Sequence, residues 1–128
     1  MSSTDEVASY LQEHHTEHAD LALWVRSLLL EAEPDFEQRI YRGWEAVGFH
    51  HPDAGYVCGL FPRPDGLQLL LEHGAVLPDP EGVLRGDGRQ VRTLPVPDRS
   101  ARTEEYIQRF LDLAVLDGLE RKSTRTRN

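Results

Sequence analysis

The hydrophobic period changes twice along this chain, and that change limits the fold more than any single residue does. Leu21, Trp24, Val25, Leu28, Leu29 and Ala32 recur at i, i+3, i+4 and i+7, the rhythm of one helical face, until Pro34 stops it. Val7, Tyr10 and Leu11 also share a helical face, behind Ser3 and Glu6 at capping-box spacing. The stretch between, Glu13-His14-His15-Thr16-Glu17-His18, holds neither Gly nor Pro. Residues 3–32 therefore suit one continuous helix or two, and a cap at Thr16 favours two.

Beyond Pro34 the period falls toward two. Tyr41, Val47 and Phe49 alternate with Ile40, Trp44 and Ala46, while Gly43 and Gly48 lower helix propensity, so this stretch predicts a strand. His51-Pro52-Asp53-Ala54-Gly55 is turn chemistry that leads into Tyr56–Phe61 and makes a hairpin. A second turn, Pro62–Gly66, precedes a strand over Leu67–Glu72, with Leu67, Leu69 and Leu71 on one face. A link rich in Pro and Gly follows, then a fourth strand over Gln90–Val96, whose Pro95 marks its end or an edge.

Helical spacing returns at Tyr106, Ile107, Phe110, Leu111 and Ala114 and runs to Gly118, a helix stop; residues past Leu119 read as a frayed tail. The fold class is α+β: a mainly antiparallel sheet of about four to six strands, with N-terminal and C-terminal helices packed on one face. Residues 1–128 form a single domain, with 1–10 and 120–128 peripheral.

Charge and cysteine usage narrow the function classes. The net charge of −8 is uneven: residues 1–38 carry nine carboxylates against Arg26 alone, and the rest of the chain is balanced. Nucleic-acid binding needs a basic face, which only the tail Arg121, Lys122, Arg125, Arg127 offers, so no nucleic-acid partner is expected. The lone Cys58 cannot form an internal disulfide and suits a reducing compartment. No signal peptide is predicted, and no apolar run nears the ~20 residues of a membrane span, so the expectation is a cytoplasmic protein without a membrane partner.

Gly43-Trp44, Gly55-Tyr56-Val57-Cys58, Phe61-Pro62, His73-Gly74-Ala75, Leu77-Pro78-Asp79-Pro80-Glu81-Gly82 and Gln90-Val91-Arg92 together resemble the YdhG-like family, a family of unknown function. The resemblance covers about Leu11 to Asp117. It implies an antiparallel sheet with helices on one side, similar in layout to frataxin, and for some members an iron-chaperone role. It supplies no catalytic residues.

Three groups of residues are candidates for chemistry. His14 and His18 lie four apart on a helix with Glu17 beside them, a spacing that suits a metal ion, iron included; the bland alternative is a polar stretch between helices. Trp44, His73 and Arg92 would line a ligand pocket on the sheet, the ring as a wall and the two basic groups fixing an anionic or polar ligand. Here the alternatives are Trp44 in the core, Arg92 paired with Glu45 or Glu72, and His73 supporting the turn at Gly74. Cys58 alternates with Tyr56 and Leu60, which makes it a buried strand thiol rather than a nucleophile.

GxSxG and the phosphate-loop order GxxxxGK[ST] are both absent. The function expected is a non-enzymatic binding domain for a small ligand or, transiently, for a metal such as iron. The alternative is a protein-interaction module whose acidic N-terminal helices dock on a basic partner.

Overall fold

The structure, a computed structural model, describes residues 5–127, with side chains to residue 124. Helix α1 (Glu6–His14) opens at Asp5, whose carboxylate accepts from the backbone N–H of Ala8 over 3.2 Å. Arg26 grips the same carboxylate from α2 through two bonds of 2.9 and 3.0 Å, and this guanidinium holds the Asp5 carboxyl below its ordinary range. The cap expected at Ser3 lies outside the described residues. Val7, Tyr10 and Leu11 are buried, so one face of α1 packs into the core while Asp5 and Glu6 stay exposed.

Two helices form, but not through the cap at Thr16 that favoured them. A 3-10 turn, Thr16–His18, separates α1 from α2 (Ala19–Ala32). Thr16 starts that turn and does not cap α2, whose N-cap position is His18 without a side-chain bond.

The sheet is an antiparallel meander, β1 (Glu37–Tyr41), β2 (Ala46–His51), β3 (Gly55–Arg63), β4 (Gly66–Leu71) and β5 (Arg92–Val96), in chain order across the sheet. The span 40–49, expected as one strand, is split by a 3-10 turn at Arg42–Trp44. After it Glu45 sits at φ 52, a left-handed conformation that costs a non-glycine residue about 1–2 kcal/mol. The turn between β2 and β3 is closed by His51, whose Nδ1 accepts from the N–H groups of Asp53 and Ala54 at 3.0 and 3.1 Å.

Opposed residues assign the two faces. Ile40, Val47, Leu60, Leu69 and Leu94 stand side by side across all five strands, with Phe49, Cys58 and Leu71 forming the next row. These rows meet Leu11, Val25, Leu29, Ile107, Phe110 and Leu111 from the helices in one hydrophobic cluster. Burying each large apolar side chain there contributes about 1.5–3 kcal/mol. All three helices cover this face, which makes the protein α+β as the sequence indicated.

Helix α3 (Ala101–Arg127) does not stop at Gly118. A Cβ on Gly118 would come within 2.6 Å of the Ala54 Cβ and 2.8 Å of the Ala54 carbonyl oxygen. Glycine is there for close approach to the β2–β3 turn, not for a helix end.

Candidate functional site

The face opposite the helices carries the row Arg39, Gly48, Gly59, Leu70 and Thr93. Gly48 and Gly59 are direct partners in neighbouring strands and leave a strip of bare backbone at the sheet centre. Aromatic rings close over it. A Cβ on Gly48 would lie 2.6 Å from the Tyr41 ring and 3.2 Å from that of Tyr56; one on Gly59 would lie 2.7 Å from the Tyr56 hydroxyl and 3.1 Å from the Phe61 ring. Both glycines are buried although no helix covers them.

Tyr56 reaches this face through a β-bulge. Strict alternation puts Tyr56 on the same side as Cys58 and Leu60. The register shifts between Phe49 and His50, however: Phe49 opposes Cys58 while His50 opposes Tyr56, and Val57 is the extra residue. The bulge turns Tyr56 to the open face, the usual effect of one additional residue. There it stacks on His50, with centroids 4.9 Å apart and planes at 21°. The Tyr41 hydroxyl and His50 Nε2 share a hydrogen bond of 2.7 Å. Burial, then the nearby charge of Arg39, lowers the His50 pKa. Burial likewise raises the Tyr56 phenol, with Glu72 adding to the effect.

The result is a groove of about 400 Å³ lined by Tyr41, Trp44, Ala46, Tyr56, Phe61, Leu70 and Glu72. Trp44 is 72% exposed, so it is not a core residue. Arg63 fixes the turn that carries it: Nη2 donates to the Trp44 carbonyl at 3.0 Å, and Nη1 to those of Glu45 and Pro62 at 3.3 and 3.0 Å. Strained backbone at Glu45, clamped from β3, therefore presents Trp44 at the groove.

Trp44, His73 and Arg92 do not form one pocket. His73 lines a separate, more polar cleft of about 700 Å³ with Asp117, Glu120 and Arg121, which adjoins the groove through Tyr56 and Glu72. Arg92 lines neither cleft; its guanidinium donates to the carbonyls of Gly88 and Val91 at 2.7 and 2.8 Å, and its Cβ faces Gly74. Neither Glu45 nor Glu72 is its hydrogen-bond partner: Glu72 Oε2 accepts from Gln90 Nε2 over 3.0 Å. Tyr41, Tyr56, Phe61 and Glu72 were missed as site residues. The signal for them was Gly48 and Gly59, small residues in otherwise bulky strands, which mark close approach of other groups.

His14, Glu17 and His18 line one shallow cleft with Glu45 and Arg63. Among the described residues no three His, Cys, Asp or Glu side chains are grouped to hold a metal ion. Cys58 is buried as a free thiol, and burial raises its pKa.

Fold and groove together define an α+β domain with one helix-covered sheet face and one open face paved with aromatic rings. No family model, curated protein or solved structure matches the chain. Among the described residues no helix is long and apolar enough to cross a membrane.

Proposed function

We propose that this protein is a non-enzymatic binding domain that holds a small, largely apolar ligand in the groove on the open sheet face. The observation that carries the reading is the exposed Trp44, held at the groove by Arg63 and by the left-handed backbone of Glu45. Trp44 stands beside the rings of Tyr41, Tyr56 and Phe61 in one groove, and a concave apolar site with few polar groups is the usual form of a ligand site. The buried free thiol of Cys58 supports residence in a reducing cytoplasm.

The iron-binding form of the reading rests on the YdhG-like resemblance and on the cleft shared by His14, Glu17 and His18. It has less support, since those side chains do not group as a metal site. A fragment screen followed by amide shifts in two-dimensional NMR separates the two. Ligands of the groove shift Gly48, Gly59 and Leu70 and lose affinity in Trp44→Ala. Hits that perturb only residues away from these strands would overturn the groove. Anaerobic calorimetry with ferrous iron, showing stoichiometric uptake lost in His14→Ala/His18→Ala, would restore the metal form.

A further inference from the structure

The groove has an unusual balance of groups. Tyr41, Trp44, Tyr56 and Phe61 supply rings, and Glu72 is the one charged side chain in its lining. Ring faces carry the negative part of the aromatic quadrupole and attract cations within about 6 Å of the centroid. Among the described residues Gln90 bonds Oε2 of Glu72, and Oε1 is left for a ligand. Two cations of the chain adjoin the lining rings: Arg39, which interacts with Tyr41 and is paired with Glu37 over 3.0 Å, and Arg63, whose Cζ lies 4.8 Å from the Phe61 centroid. Arg63 lies outside the lining, and its guanidinium is engaged by the three backbone carbonyls of Trp44, Glu45 and Pro62. Trp44, the best cation acceptor of the set, stays uncovered.

Resting on the groove reading above, we propose that the ligand is a small organic cation with an alkylated ammonium head, seated between Trp44 and the two tyrosines and neutralised by Glu72. An alkylated head fits better than a primary ammonium. It sheds water at lower cost, and the lining offers it ring surface where a primary ammonium needs several hydrogen-bond acceptors. A carboxylate ligand is disfavoured by Glu72 and by the net charge of −8.

The test uses choline and its neutral isostere 3,3-dimethylbutan-1-ol, each titrated into the full chain while the amides of Gly48, Gly59 and Leu70 are followed by NMR. Choline is expected to bind about tenfold more tightly than the alcohol, the ratio that one desolvated cation–ring contact supplies. Glu72→Gln should remove most of that preference, so that the two probes bind with nearly equal affinity. Equal affinity for the two probes overturns the cation inference while the groove reading stands. If neither probe shifts these amides but indole does, the cation inference alone falls. Silence toward all three removes both.

Discussion

The side chain of Arg63 reaches back across the sheet to the backbone of Trp44, donating from Nη2 to its carbonyl oxygen over 3.0 Å. These residues lie nineteen positions apart, and their bond sets the direction of the turn that presents the tryptophan. Arg63→Met keeps the aliphatic stem and removes the donors. It should weaken ligand binding in the groove several-fold and cost about 1 kcal/mol, since the bonds are partly exposed. Glu45→Gly acts with the opposite sign on stability. It relieves the left-handed strain, offset in part by the greater freedom of glycine when unfolded, for a net gain of about 0.5–1 kcal/mol. Urea midpoints of both variants against the parent check the two signs.

Gly118→Ala sets helix propensity against packing. In the middle of α3 alanine should stabilise by about 1 kcal/mol. The added Cβ would meet backbone, however, at 2.8 Å from the Ala54 carbonyl oxygen. Overpacking of this kind costs about 1–3 kcal/mol, so the net effect should be destabilising and α3 should move off the β2–β3 turn. Thermal unfolding measures it; an increase in Tm would mean that α3 does not need this approach.

Gly118 also illustrates what the sequence conceals. A glycine after a helical run reads as a stop, and only the position of Ala54 in space makes it a contact residue. The helical stretches and the strands at Tyr56–Phe61 and Leu67–Glu72 were legible because their periods come from the core they face. The break at Arg42–Trp44 was not, because Ile40, Tyr41, Trp44 and Val47 fit a strand and the turn is fixed from afar by Arg63. Nor was the groove: one bulge at Val57 moved Tyr56 to the other face, and no local pattern marks a bulge of that kind. His73 and Arg92 failed as partners of Trp44 because alternation gives a face but not a position along it.

Cys58 has no exposed surface and sits in the row with Phe49 and Leu71. Its raised pKa leaves almost no thiolate at neutral pH. Iodoacetamide should therefore modify the native protein only through unfolding, at a rate that tracks global stability, and fast in urea. Mass spectrometry over time checks this. Rapid stoichiometric labelling without denaturant would contradict the burial of β3.

Histidine burial makes a pH prediction whose sign is fixed. His50 has a pKa below the ordinary imidazole value because burial, and then Arg39, penalise its charged form; Glu37 opposes them. His15 is depressed as well, first by burial. The unfolded chain therefore binds protons on these residues at a higher pH than the folded chain does. Stability is complete above about pH 6.5 and declines as pH falls below it toward the folded values. Asp5 and Asp98 are depressed too, but they titrate in a lower window and do not contribute between pH 6.5 and 5. His50→Phe retains a ring against Tyr56 and removes one titrating group. Its urea midpoint should change less than that of the parent between pH 7.5 and 5, and His15→Gln/His50→Phe less again. The groove follows the same titration, because a charged His50 repels an organic cation and loosens the stack that holds Tyr56 over Gly59. Choline affinity should accordingly fall with pH in the parent and stay nearly flat in His50→Phe, a comparison that separates protonation at the groove from acid unfolding elsewhere.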